Sequence, residues 1–513
     1  VKPIRLLSGF VTVGMWTLAS RVLGFVRDAM ILAYLGTGPA YEAYVVAFRL
    51  PNMFRRFFAE GAFNMAFIPQ YSKRLEGGED ADDFASQAFA GLASVLIALT
   101  LLAMAVMPWM IYALASGFAG QAQFELSVEF GRITFPYVLF ISLAALLSGV
   151  LNALGRFAAA AAAPVLLNIV LVSAMTLAAL AGGDVARALI WAIPLAGMAQ
   201  LALVWAAAKR AGFHLRLQRP RWTPAMRRLV RVAIPAALAG GVMQVNLLVG
   251  QQVASYFDRA VGWLYAADRL YQLPLGVVGI AVGVVLLPDL SRRLKANDTA
   301  GSREALSRAA EISLSLTIPS AVALIVIPLP LVSVLFERGA TTSDDSAAIA
   351  TAVAIYGLGL PAFVVQKILQ PLFFARENTR TPFYYAVAAM IANAAIAIGL
   401  APLVGWLASA IATTMAGWVM VGLLIRGTRP FGEIARFDAR FHARIWRIIA
   451  AALGMGVVLW AAMALLTPFL GMDGLRYLAL LVLILAGIIS YFGIGQLIGA
   501  FRLSEFKRAL RRG

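Results

Sequence analysis

Stretches of about twenty or more apolar residues recur from one end of this 513-residue chain to the other. Each is long enough to cross a hydrocarbon core of ~30 Å as a helix rising ~1.5 Å per residue. Few folds accept such a chain. In lipid every backbone N–H and C=O must be bonded within the protein, so only helices and closed barrels span a bilayer, and the period-2 alternation of barrel strands is absent. The expectation is an all-α, polytopic membrane protein. Composition agrees, at 61% hydrophobic and 13% charged, against about 25% charged in soluble domains. Residues 7–36 are too long and too polar inside to read as a cleaved signal segment. With no cysteine, disulfides, thiol catalysis and thiolate metal sites are excluded.

Fourteen spans account for the apolar runs: roughly 8–36, 40–71, 85–114, 128–154, 160–182, 187–208, 228–255, 261–291, 306–336, 347–374, 382–401, 404–425, 446–467 and 474–499. An even number puts both termini on one side. With the basic runs at 209–231, 292–308 and 426–447, which overlap the span ends, counted with the loops, 31 of the 43 basic residues fall in the loops of that side, four in the opposite loops and eight inside spans. The positive-inside rule therefore places both termini in the cytoplasm. It also explains the net charge of +18: the cations anchor topology beside anionic membrane lipids, and nucleic acid is not the expected partner.

The chain repeats itself. FIPQYSKRL at 67–75 aligns with LLPDLSRRL at 286–294, Arg49-Leu50 with Arg269-Leu270, and Arg156 with Arg376, all near an offset of 220. Spans 1–6 thus match spans 7–12. Six spans per half preserve orientation, so the two lobes are related by a parallel repeat, as in alternating-access transporters with a central site. The expected organisation is a lobe at 1–215, a second at 216–430, and two extra spans with a basic tail at 431–513.

The eight basic residues inside spans are Arg21, Arg27, Arg49, Arg55, Arg56, Arg132, Arg269 and Lys367. An arginine at the bilayer centre costs about 2.5–3.5 kcal/mol on insertion scales, so these should face the protein interior. In span 1, Ser20, Gly24 and Arg27 share one helical face, with Arg21 and Asp28 on a neighbouring stripe. In span 2, Pro51 should bend or break the helix. Beyond it Asn52, Arg56 and Glu60 recur at i, i+4, i+8, and Arg55 turns roughly 100° aside as the ligand-facing cation. The competing reading for Arg49 and Arg56 is snorkelling or bridging to carboxylates, which for Arg132 and Lys367, near span ends, is the better one. In span 8, Asp268, Arg269 and Gln272 lie together, and Asp268 is positioned to neutralise Arg269. A cavity lined by guanidinium forks attracts an anion and suits phosphate oxygens.

These motifs, SRVLGFVRDA at 20–29, FRLPNMFRRFFAEGAFNMAFIP at 48–69, ITFPY at 133–137, LLSGVLNALGRF at 146–157 and YAADRLYQLPLGVVGIAVGVVLLPDLS at 265–291, resemble those of the MurJ (MviN) family. Its members are lipid II flippases of the multidrug/oligosaccharidyl-lipid/polysaccharide exporter superfamily. The resemblance covers essentially the whole chain. It implies transfer of undecaprenyl-diphosphate-linked peptidoglycan precursor across the bacterial inner membrane. It also implies that Arg21, Arg27, Arg55 and Arg269 are required, with Arg27, Arg55 and Arg269 gathered around the diphosphate. By the same resemblance the last two spans form a groove for the lipid tail, and proteins of cell-wall synthesis are the partner class left open.

Two positions depart from the family pattern. Glu42 stands where aspartate is common and keeps the charge; Gln272 stands where some members carry glutamate and does not. Some members associate sodium with a carboxylate in the second half. Span 7 here, with Gln244 and Asn246 inside, has no acidic residue before Asp258, so monovalent-cation coupling lacks support and no cofactor is expected.

The alternatives are a flippase for another polyprenyl-diphosphate-linked saccharide and a drug/cation antiporter, which should carry buried carboxylates rather than interior arginines. An intramembrane enzyme is disfavoured, because His214 and His442 sit in basic loops and no span carries paired carboxylates at helical spacing.

Overall fold

The computed structural model describes residues 6–56, 62–78, 80–281, 287–376 and 378–500. Among these, every regular element is helical. The α-helices are α1 (Leu6–Leu35), α2 (Pro39–Arg55), α3 (Ala62–Glu76), α4 (Ala81–Ala105), α5 (Met107–Leu114), α6 (Ala122–Thr134), α7 (Tyr137–Ala153), α8 (Ala158–Leu180), α9 (Val185–Arg210) and α10 (Pro224–Ala254). They continue as α11 (Ala260–Ala281), α12 (Leu287–Lys295), α13 (Thr299–Val326), α14 (Pro328–Phe336), α15 (Ser343–Phe374), α16 (Arg380–Val404), α17 (Leu407–Thr428), α18 (Ala439–Leu470) and α19 (Leu475–Leu497).

Each of the fourteen sequence spans has a helix or a consecutive pair of helices over it. Ten segments among the described residues are long and apolar enough to cross a membrane unaided. None of the ten falls on spans 1, 2, 7 or 8, and spans 1, 2 and 8 carry Arg21, Arg27, Arg49, Arg55, Arg56 and Arg269.

Two of the helix pairs recur at the repeat offset, over spans 2 and 8 and over spans 3 and 9, whereas span 4 is a pair and span 10 the single helix α15. Span 3 breaks at Val106, just before Pro108, and span 9 breaks at Ile327, just before Pro328, again at the repeat offset. Proline supplies no N–H for the preceding turn, so the ladder is interrupted and restarts with proline in the first turn of the new helix. In both halves the later helices pack alike: α8 on α9 and α7 on α9 in the first, α16 on α17 and α15 on α17 in the second.

Compactness and the repeat divide the chain at different places. One compact unit holds Val1–Gly262 with Arg338–Thr341, the other Trp263–Glu337 with Thr342–Gly513. Helix α10 opens the second half of the repeat but packs on α3, α4 and α5 of the first. The strand-free linker leading to it is tied down as well. Arg216 bonds Asp80 at 3.0 Å, the Gln218 amide bonds Asp83 at 3.1 Å, and the Arg216 N–H bonds Ser86 at 3.0 Å, all at the N-terminus of α4.

Within each unit, small residues let helices approach closely, which matters because lipid tails provide no hydrophobic drive for helices to associate. Gly197 of α9 lies against Tyr137 of α7, and Gly487 of α19 against Leu459 of α18. In the second unit α18 and α19 pack on α13 through Met455, Leu459, Leu483 and Ile327. The Tyr491 hydroxyl donates to the Ser315 carbonyl at 2.6 Å. On the polar end of that contact, Arg308 and Arg444 both bond Glu311, and Arg308 also bonds Asp438.

Candidate functional site

In the first unit the polar face expected on α1 is present and is completed from another helix. Arg27 donates to Asp28 Oδ1 through Nε at 3.0 Å and Nη2 at 2.7 Å, and its Nη1 donates to Asn168 Oδ1 at 2.9 Å. The Arg27 and Asp28 side chains are 11% and 12% exposed. Asn168 of α8 lies over Gly24, and its amide donates back to the Ser20 carbonyl at 3.1 Å. Ser20, Arg27 and Asp28 thus meet at one point. Arg21, by contrast, is exposed.

Asn168 was not singled out by the sequence reading. The signal was there: it is the sole amide side chain in the largely apolar AAAAAAPVLLNIVLVSAMTLAAL of α8, whose other polar residues are the hydroxyl-bearing Ser173 and Thr176. A polar residue at such depth pairs with something. The partner lies 141 residues away.

Helix α2 delivers the second cation. It runs through Pro51 without ending and stops at Arg55, with Arg56 as its C-cap donating its N–H to the Asn52 and Met53 carbonyls. Phe54 packs edge-on against Phe135 at 5.2 Å between ring centroids, so the last turn is fixed and Arg55 projects about 100° around from that contact. Arg55 and Asn52 are half-buried, whereas Arg56 is exposed. Glu60 lies outside the described residues, as do the side chains of Gln244 and Asn246.

Glu42 stands apart from these arginines. It sits in the first turn of α2, about 20 Å along the helix from Arg55, fully buried, and its Oε1 accepts the Val261 N–H at 3.2 Å. Its place is at a helix start.

In the second unit, α11 carries the remaining group. Gln272 donates its amide to Asp268, four residues earlier on the same face. Arg269 lies over the Tyr265 ring, 4.3 Å from its centroid, a cation–π geometry that holds a guanidinium while leaving it cationic. Asp268, expected as the neutraliser of Arg269, has Gln272 as a partner, and the aromatic face takes part in holding the arginine.

Near the span ends, Arg132 donates Nε to the Met104 carbonyl at 3.1 Å. That carbonyl belongs to the last turn of α4, where the helix breaks before Pro108.

Two repeated halves of six sequence spans each, two added helices and guanidinium groups set into the spans define a polytopic membrane transporter. The family model described as lipid II flippase MurJ matches residues 31–480. A probable lipid II flippase MurJ of Rhizobium meliloti is 43% identical over 99% of this chain and 97% of its own length. The lipid II flippase MurJ of Burkholderia cenocepacia is 31% identical over 98% of this chain and 99% of its own. This protein belongs to the lipid II flippase MurJ family. Among solved structures, a lipid II flippase MurJ in an inward closed conformation superposes with a TM-score of 0.78 at 26% identity, covering 98% of this chain and 99% of that one. An inward-facing multidrug resistance MATE transporter of the MOP superfamily shares the fold, with a TM-score of 0.69 at 15% identity over 82% of this chain and 96% of its own.

Proposed function

We propose that this protein is a lipid II flippase, moving the undecaprenyl-diphosphate-linked peptidoglycan precursor from the inner to the outer leaflet of the bacterial inner membrane. Family membership along nearly the whole chain carries the reading. The interior arginines supply its chemistry. A diphosphate is the part of such a lipid that a bilayer rejects most strongly, and arginine forks replace its hydration with paired, charge-assisted hydrogen bonds.

In this reading Arg21, Arg27, Arg55 and Arg269 bind the substrate, the last three gathered around the diphosphate, and Asp28, Asp268 and Gln272 set their geometry. The lobes at 1–215 and 216–430 rock in alternating access while the polyprenyl tail stays in lipid, along the helices of 431–513. Both termini face the cytoplasm, as the loop charges require. The reading calls on no cofactor.

Complementation of a conditional flippase-depletion strain tests it, using wild type and R27A, R55A and R269A, with membrane levels checked by blot. Rescue by wild type and loss in well-expressed variants is the expected outcome. Rescue by all three variants removes the arginine site. Failure of well-expressed wild type moves the substrate to another polyprenyl-diphosphate-linked saccharide.

A further inference from the structure

We propose that Asn168 is a positioning residue for substrate binding: its amide fixes the Arg27 guanidinium against α1 while adding no charge to the site. The inference rests on the arginine-site reading above and names a residue that reading does not contain.

Asn168 is 4% exposed, and a buried amide is costly unless its polar atoms are bonded. Both ends are. Oδ1 accepts from Arg27 Nη1 at 2.9 Å, and Nδ2 donates to the Ser20 carbonyl at 3.1 Å and the Pro164 carbonyl at 3.3 Å. The reverse orientation would set NH2 against the guanidinium and the oxygen against two carbonyls, so the partners define which atom faces Arg27. The two carbonyls belong to different helices, α1 and α8. The amide is therefore held from both sides, and the oxygen it offers Arg27 cannot swing away.

Neutrality is the second part. Arg27 already donates twice to Asp28, so the pair together has no net charge. A carboxylate at position 168 would make the cluster anionic and repel a diphosphate. An apolar residue would leave Nη1 without this acceptor and the guanidinium less constrained. An amide gives a fixed acceptor at zero charge.

The test is a mutant cycle on the purified full-length protein, reading binding of lipid II and of undecaprenyl diphosphate by native mass spectrometry. N168A is expected to weaken both about tenfold, the loss typical of one hydrogen bond to a charged group. N168D, similar in size and still able to accept from Arg27, is expected to bind at least as weakly as N168A. In an R27A background N168A should cost nothing more, whereas in an R55A background its effect should add in full. An undiminished N168A effect on top of R27A, or wild-type binding by N168D, overturns the assignment. If N168A does not accumulate, N168D carries the test alone. Wild-type binding by R27A is a separate result, because it removes the arginine site itself.

Discussion

Glu42 and Val261, 219 residues apart, are joined by a hydrogen bond of 3.2 Å from the Val261 N–H to the Glu42 carboxylate. Val261 is in the first turn of α11, where helix N–H groups have no partner within the helix. Glu42 is fully buried and serves as that partner. Glu42→Ala strands the donor in the interior and should lower stability by about 1–3 kcal/mol. Glu42→Gln keeps an acceptor and should stay near wild type in both thermal unfolding and flipping. A stable but inactive E42Q protein would show that the charge itself serves transport.

Asp28 is the nearest anion to Arg27, and both are largely withdrawn from solvent. Removing one member of such a pair leaves a poorly solvated charge, a change costing 3–5 kcal/mol at full burial. For Asp28→Ala at this partial exposure, about 1–3 kcal/mol is expected, read as a lowered unfolding midpoint in detergent. Added salt should restore little of it, since a buried pair is weakly screened. A midpoint unchanged from wild type would mean that Arg27 finds equivalent acceptors without Asp28.

Asp438 opens α18 and accepts the Phe441 N–H at 2.7 Å. Burial opposes its ionisation, but that N–H and the Arg308 guanidinium outweigh it and hold the carboxyl below its ordinary value of 3.8. A depressed acid stabilises above its unfolded value and loses that contribution as pH falls through the folded one. Docking of α18 on α13 should therefore weaken from about pH 4 downward. Asp438→Asn keeps the cap and removes the charge, so its unfolding midpoint should lack this acid-dependent component. Asp438→Ala also loses the cap, worth about 1 kcal/mol more.

In the first unit Gly36 faces the backbone of Ala340, and Gly339 faces the backbone of Ala33. Both have positive φ, 62° and 60°, and a Cβ on Gly36 would stand 2.6 Å from the Ala340 carbonyl oxygen, one on Gly339 only 2.2 Å from that of Ala33. The close approach lets the Ala340 N–H reach the Ala33 carbonyl at 2.8 Å and the Thr341 hydroxyl reach Leu32 at 2.7 Å. The first bond reaches a carbonyl in the last turn of α1, where the helix supplies few N–H partners, and the second adds to a Leu32 carbonyl that already accepts the Gly36 N–H. Gly339→Ala should cost about 1 kcal/mol in backbone conformation alone, with the backbone clash added to it. Reduced membrane levels and a lower unfolding midpoint are the expected readouts, with Thr341→Val milder than either glycine substitution.

The candidate arginines were legible in the sequence because an arginine within an apolar run is conspicuous wherever it falls. Arg27, Arg55 and Arg269 needed only composition and spacing to be noticed. Their partners were less accessible. Asp28 is the adjacent residue, and at helical geometry adjacent side chains diverge by about 100°; only the length of the arginine side chain lets it fold back. Tyr265 is four residues before Arg269 and was within reach of spacing arguments. Asn168 could have been flagged as polar in α8, but not assigned to Arg27.

The sequence by itself determined that this chain lives in a bilayer, where its helices run and that its halves repeat. The first two follow from hydropathy summed over neighbouring residues, which is local and additive, and the repeat from motifs that recur at one offset along the chain. The tertiary structure alone decided which acceptor each buried charge takes. It placed Asn168 beside Arg27, set Glu42 at the start of α11 instead of among the arginines, and packed α10 with the first unit although the repeat counts it in the second. Those outcomes depend on which helices meet and at what height, and a burial cost can be met by any suitably placed partner however distant along the chain.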